Sequence, residues 1–151
     1  MSTILKSFAW TRPDGGVSIT HVDERDRWSG ETDEELCHRM LTKHGASNAV
    51  PVTAHEIPPR DGFRSCWSLT PKKGLHVCLT KARELTKQRL RQERVPLFAA
   101  NDLVLRDASL AGDKAALQQG LAERDRLRDL PQRAEVLTSL EALKTITAKE
   151  S

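Results

Sequence analysis

The chain has 151 residues, of which 38% are hydrophobic and none is tyrosine, so we expect one thin-cored domain or a small domain with an extension. Its formal net charge is a modest +3, and its three cysteines are odd in number and irregularly spaced, which argues against a disulfide framework and for a reducing compartment. No signal peptide is visible and no apolar run approaches about 18 residues, so we expect a soluble protein made in the cytoplasm.

The first element predicted along the chain is a β-hairpin. Residues 8–12 and 17–21 both alternate apolar and polar side chains, and the intervening Pro13-Asp-Gly-Gly16 has the composition of a tight turn. Phe8 and Trp10 are expected on one face of the first strand.

A helix follows the charged segment 23–30. Thr32 and Glu35 have the spacing of a capping box, which predicts that the helix begins there, and Gly45 is expected to end it. Its apolar face is predicted to consist of Leu36, Cys37, Met40 and Leu41.

Two further strands are predicted before the long helix. Residues 49–57 form the third, in which Pro51 suits an edge position or the strand start, and residues 63–69 form the fourth. Phe63, Ser65 and Trp67 are expected on one face of the fourth strand. The first domain, residues 1–74, is therefore predicted to be a ββαββ module, an antiparallel sheet with one covering helix.

The second predicted domain, residues 75–151, is organised around a long basic helix with Thr80 as a possible N-cap. Pro96 interrupts the pattern and predicts a kink, with a full break into two helices as the alternative. One face is expected to be packed, through Cys78, Ala82, Leu85, Leu97, Ala100, Val104 and Ala108. The opposite, solvated face is expected to carry Arg83, Lys87, Arg91 and Arg94.

The long helix is predicted to turn back on itself. Gly112 suits a left-handed helix end and Asp113 suits an N-cap, which predicts a second helix over residues 114–130 that packs antiparallel to the first and is stopped by Pro131. The predicted apolar markers of the second helix are Leu117, Leu121, Leu127 and Leu130. A capping box from Thr138 to Glu141 predicts a short C-terminal helix. The fold class is thus α+β: a small antiparallel module, a long helical hairpin and a short helix.

Few residues suggest catalysis. Cys37, His38 and His44 are the nearest approach to a metal cluster, but adjacent side chains on a helix diverge, so a buried thiol beside an exposed imidazole is the favoured interpretation. Trp10, Trp28 and Trp67 could form a recognition surface, although two of them lie on predicted core strands and packing is favoured. We therefore expect neither enzyme activity nor a cofactor.

Four stretches of the sequence carry a resemblance. They are residues 10–19 (WTRPDGGVSI), residues 63–67 (FRSCW), the basic helix from Lys81 to Asp102, and residues 127–131 (LRDLP). Together they resemble small phage and prophage proteins encoded among tail genes. The C-terminal part also resembles the tail-fibre assembly and tail assembly chaperone proteins of tailed phages. The matching positions in that part are Arg89, Arg91, Arg94, Leu97, Asp102 and residues 127–131.

The resemblance implies a structural protein of the phage tail tip, baseplate or fibre attachment that acts by protein–protein binding. Its partners would be other tail proteins and further copies of itself, in the host cytoplasm during assembly and then in the virion. The alternatives are a fibre-assembly chaperone that leaves the particle, and a nucleic-acid-binding protein that uses the basic helix, since residues 81–94 carry six basic and two acidic side chains.

The hairpin is the predicted contact element. The residues that we expect to meet a partner are Arg83, Lys87, Arg91, Arg94, Arg124 and Arg128. Replacing Arg83, Arg91 and Arg94 together by alanine is expected to weaken association and to leave the fold intact.

Overall fold

The structure, a computed structural model, describes residues 3–149. It has the predicted α+β fold class, with strands, one α-helix and two short 3-10 helices before Cys78 and helices after it. The chain divides into two compact units, Met1–Cys78 and Leu79–Ser151, which we call the N-terminal unit and the helical unit.

Strands β1 (Ile4–Thr11) and β2 (Val17–Asp23) form the predicted hairpin, in antiparallel register. Gly15 has a φ of +82° in the turn, a conformation that glycine adopts without steric cost. A third strand, β3 (Val50–Val52), pairs with the other side of β1 and gives the order β2-β1-β3. Pro51 therefore lies on an edge strand, as predicted.

Helix α1 (Asp33–Lys43) begins with the predicted capping box. Thr32 Oγ1 accepts a hydrogen bond from Glu35 N at 3.2 Å, and Thr32 N donates to Glu35 Oε2 at 2.9 Å. The helix buries three of its four predicted apolar side chains, those at positions 36, 37 and 40, in a cluster with Val22 of β2. It ends before Gly45, whose φ is +67°.

The third and fourth predicted strands need correction. The third extends only over Val50–Val52, and much of the fourth, Arg64–Cys66, is a 3-10 turn, so residues 63, 65 and 67 do not follow one strand face. Strand β4 (Trp67–Thr70) pairs with an unpredicted β5 (Gly74–Val77) in a separate two-stranded sheet. Pro71 lies in the turn between these strands, and Gly74 is the first residue of β5, where it pairs with Thr70. Strand β5 spans the position of the predicted domain boundary.

Helix α2 (Leu79–Ala111) is continuous and contains Pro96, so the alternative of two separate helices is wrong. Proline removes the hydrogen bond to the carbonyl four residues earlier, that of Gln92. Both Pro96 and Gln92 are exposed, so this carbonyl can be hydrated and the helix can continue. The helix begins at Leu79, which places Thr80 inside the first turn instead of at the N-cap.

The buried face of α2 differs from the predicted one. Ala100 and Val104 are exposed, whereas the polar Thr86 and Asn101 are buried. Asn101 Nδ2 donates to the carbonyl of Gly120 at 2.9 Å, which satisfies a buried amide. A Cβ on Gly120 would lie 2.6 Å from Leu105 Cδ2, so glycine permits this close packing.

Helix α3 (Lys114–Asp129) packs on α2 to form the predicted hairpin. Gly112 has a φ of +68° and Asp113 accepts from Ala116 N at 3.0 Å, so both end signals are confirmed. Leu127 is fully buried, but Leu121 is 47% exposed and does not belong to the seam between the helices.

A 3-10 helix (Leu130–Val136) and helix α4 (Leu140–Thr145) complete the helical unit. The side chain of Ser139, instead of the predicted Thr138, caps α4 by accepting from Ala142 N at 3.1 Å. Leu143 and Ala148 are fully buried. We call residues 137–148 the C-terminal segment.

Candidate binding surface

The predicted basic face of α2 is not uniformly solvated. Arg83 donates from Nε and Nη2 to the carbonyl of Leu137, at 3.0 and 2.9 Å. Arg94 Nη1 donates to the carbonyls of Leu127 and Arg128, at 2.9 and 2.8 Å. Both arginines are half-buried and satisfy carbonyls inside their own unit. The expectation that they lie on a solvated face is therefore wrong.

Lys87 is also engaged within the helical unit. Its Nζ lies 2.7 Å from Glu84 Oε1 and forms a second ion pair with Glu135 of the 3-10 helix. Only 13% of the Lys87 side chain is exposed. The hydrogen bond from Lys87 and, to a lesser degree, the charge of Arg91 lower the pKa of Glu84. Lys87 thus joins α2 to the segment that follows α3.

The other three predicted contact residues are exposed. Arg91 faces solvent on α2. Arg124 forms an ion pair across the hairpin with Asp102, at 2.6 Å. Arg128 is 65% exposed and pairs with two aspartates of its own helix end. Exposed ion pairs of this kind contribute little to stability. Breaking them on binding would cost little free energy, so these arginines are suited to contact a partner.

Two further arginines, whose role the sequence did not reveal, donate hydrogen bonds to backbone carbonyls of the C-terminal segment. We call arginines that make such bonds within their own unit bracing arginines. Arg89 Nη2 donates to the carbonyls of Leu143 and Ile146, at 2.9 and 2.8 Å. Arg126 Nη2 donates to the carbonyl of Ala148 at 2.9 Å. Spacing along a helix cannot reveal such contacts, because their acceptors are backbone carbonyls more than 20 residues away in sequence.

The hydrogen bonds of Arg83 and Arg94 to backbone carbonyls are expected to stabilise the helical unit. We expect Arg83→Ala and Arg94→Ala each to lower its free energy of unfolding by about 1–2 kcal/mol, because charge-assisted hydrogen bonds are lost and carbonyls are left unpaired. Urea denaturation followed by far-UV circular dichroism measures the change. Arg91→Ala is the matched control on the same helix and should change stability by less than about 0.5 kcal/mol. Equal effects of all three substitutions would contradict the division into bracing and exposed arginines.

The outward face of α2 carries apolar side chains in water. Val95, Leu103 and Leu110 are 64%, 52% and 82% exposed, and Ala99 is exposed between the first two. At 100° per residue these four positions fall within one narrow arc of the helix, away from the buried positions 90, 101 and 108. We call Val95, Ala99, Leu103 and Leu110 the outer stripe. Apolar surface of this kind commonly marks a protein contact.

A second candidate lies in the N-terminal unit, where Ser7 and His21 line an open groove of about 530 Å³. Ser7 Oγ is 2.7 Å from His21 Nδ1 on the adjacent strand. Nucleophilic catalysis by such a pair also requires donors that stabilise an oxyanion. At Ser7, strand β1 is paired with β2 on one side and with β3 on the other, so the neighbouring amides are engaged in the sheet. We interpret the pair as a cross-strand hydrogen bond.

The tryptophans divide between core and surface. Trp67 is fully buried and Trp10 nearly so, whereas Trp28 is 66% exposed. The guanidinium of Arg39 lies 3.9 Å from the centroid of the Trp28 ring, and Glu31 holds it with bonds of 2.7 and 2.8 Å. These bonds from Arg39 lower the pKa of Glu31 to about 2, so the ion pair that orients Arg39 persists at neutral pH.

Cys37 and Cys66 are buried, and Cys78 is half-buried. Within residues 3–149, no three histidine, cysteine or acidic side chains gather in a way that could hold a metal ion. None of the helices in that range combines the length and apolarity needed to cross a membrane.

Comparison of the chain with protein-family models, with curated proteins and with solved structures gives no match.

Proposed function

We propose that this protein is a non-catalytic structural component of a phage tail, at the tail tip, baseplate or fibre attachment, that acts by binding other tail proteins. The tail setting is supported by the resemblance of residues 10–19, 63–67, 81–102 and 127–131 to proteins encoded among tail genes. On this proposal the protein is present in the host cytoplasm during assembly and in the virion afterwards.

One observation carries the binding role: the helical unit is braced from within, yet it leaves apolar and charged side chains of the hairpin in water. Arg83, Arg89 and Arg94 fix backbone carbonyls of the same unit. Val95 and Leu110, on the same helix, remain 64% and 82% exposed. A rigid element loses little conformational entropy on binding, so its exposed side chains suit recognition of a partner.

The six predicted contact residues have two different roles in this proposal. Arg91, Arg124 and Arg128 are exposed, and we propose that they contact the tail partner directly. Arg83, Lys87 and Arg94 hold the hairpin and its following segments in place. Reversing the charge of the exposed group should therefore change binding without changing the fold.

The nucleic-acid alternative has less support than a protein contact. Duplex binding needs basic side chains that are free to approach phosphates. Arg83, Lys87 and Arg94 are occupied by carbonyls and carboxylates of their own unit. A gel-shift assay at low salt tests this alternative directly, and a complex that weakens steeply with added salt would favour it.

The experiment is mass spectrometry of purified virions of a phage that encodes this chain. We expect the protein in wild-type particles, and strongly reduced incorporation of the triple variant Arg91→Glu, Arg124→Glu, Arg128→Glu. The matched control is Lys72→Glu, Lys73→Glu, which also reverses exposed basic charges but lies in the β4–β5 turn.

The outcomes separate the alternatives. Absence from finished particles, together with binding to the fibre during assembly, would replace the structural role by the chaperone role. Absence from particles and from every tail intermediate would overturn the proposal.

A further inference from the structure

The outer stripe is long enough for another helix to lie along it. Leu110 lies 15 positions after Val95, which corresponds to about 22 Å of helix at 1.5 Å per residue. Pro96 and Ala100 are also exposed and widen its apolar surface. We infer that a second copy of this chain docks antiparallel on the outer stripe and forms a two-fold symmetric dimer.

The spacing of the stripe favours pairing with itself. Val95 lies eight residues before Leu103, and Leu110 lies seven residues after it, so the large side chains are nearly symmetric about Leu103. In an antiparallel pair with its two-fold axis beside Leu103, Val95 of one copy faces Leu110 of the other, and the two Leu103 side chains meet near the axis. Such an isologous contact uses the same patch twice.

The charges on the outward face select the antiparallel orientation. Arg106 and Asp107 occupy the gap between Leu103 and Leu110 and form an ion pair at 3.0 Å. In a parallel pair, Arg106 would lie beside Arg106 of the other copy, and like charges repel. In the antiparallel register, Arg106 lies opposite Ala99, which is small enough to accept the arginine stem. Together with Arg91 and Asp102, these charges sum to zero, so the four side chains add no net charge to the contact.

The area of the outer stripe limits the affinity that we expect for the dimer. A standard stable interface buries about 800 Å² on each partner. A single helix face about 22 Å long, on a helix about 10–12 Å in diameter, supplies only part of that area. We therefore expect a dissociation constant in the range of about 1–100 µM. This inference does not depend on the tail assignment, because it concerns only the surface of α2.

The test measures the mass of the full chain in solution. Sedimentation equilibrium from about 1 to about 500 µM should show the 16.9 kDa chain shifting towards twice that mass as its concentration rises. Val95→Lys should raise the dissociation constant at least tenfold, because a buried unpaired charge would be placed at the contact. The matched control, Val136→Lys, changes a valine that is 76% exposed in the 3-10 helix and should dimerise as the wild type does.

Cysteine cross-linking tests the orientation, with the wild-type chain and its three cysteines as background. Under mild oxidation, Leu103→Cys should cross-link to itself, and Val95→Cys should cross-link to Leu110→Cys in a mixture. Efficient self-cross-linking of Leu110→Cys would overturn the antiparallel arrangement. A monomer throughout the concentration range, or equal dimerisation of Val95→Lys and the wild type, would overturn the dimer. Virion incorporation can succeed or fail independently of these results.

Discussion

Replacing Trp67 by alanine is expected to lower the free energy of unfolding of the N-terminal unit by about 3–5 kcal/mol. Trp67 is fully buried and packs in a cluster with Ala9 and Val17 of the β1–β2 hairpin. Arg64 places its guanidinium 4.0 Å from the centroid of the Trp67 ring and donates to the carbonyl of Val17 at 2.7 Å. Truncation would thus remove the largest buried side chain of this cluster and the platform beneath Arg64.

The measurement is hydrogen–deuterium exchange of the β1 and β2 amides in increasing urea. Trp28→Ala is the matched control, because Trp28 is 66% exposed and loses mainly its stacking with Arg39. We expect this control to change the free energy of unfolding by about 1 kcal/mol or less. Comparable losses from the two substitutions would contradict the assignment of Trp67 to the core and Trp28 to the surface.

The second large effect is expected in the helical unit. Leu127→Ala should lower its free energy of unfolding by about 2–5 kcal/mol, because Leu127 is fully buried and its loss leaves a cavity. Leu121→Ala is the control on the same helix. Leu121 is 47% exposed, and its replacement should cost about 1 kcal/mol or less. Urea denaturation followed by far-UV circular dichroism distinguishes the two values.

This pair of leucines also tests the packing of the hairpin. Both fit the apolar pattern of α3 in the sequence, and only the structure separates them. If Leu121→Ala proved the more destabilising, α3 would have to be rotated relative to α2. After such a rotation, the close approach of α3 to α2 would no longer be between Gly120 and Leu105.

Local signals predicted much of the fold correctly. The capping box at Thr32, the N-cap at Asp113 and the turn glycine at position 112 act within a few residues of themselves. Each satisfies backbone groups that a helix end leaves unpaired, and this requirement is visible in the sequence. The same kind of short-range signal gave wrong predictions at Thr80 and Thr138. Helix α2 begins at Leu79, before Thr80, and Ser139, next to Thr138, caps α4.

The candidate surface could be predicted only in outline. The sequence identified the basic residues of α2 and α3, but it could not show that Arg83 and Arg94 bind carbonyls of residues 137, 127 and 128. Arginine has five donors on a long side chain, so a regular spacing is compatible with a solvated face and with internal bracing. The outer stripe was not predicted, because Ala100 and Val104 fitted the apolar period of a packed helix face as well as residues that are buried.

The sequence by itself determined the α+β class, the β1–β2 hairpin, helix α1 and the turn that joins α2 to α3, because short-range hydrogen bonds and hydrophobic periods specify these elements. Tertiary structure alone decided that β5 pairs with β4, that Thr86 and Asn101 are buried, and which arginines face solvent. The physical reason is that burial and long-range hydrogen bonds depend on the neighbour a side chain meets, and that neighbour is often distant in the chain.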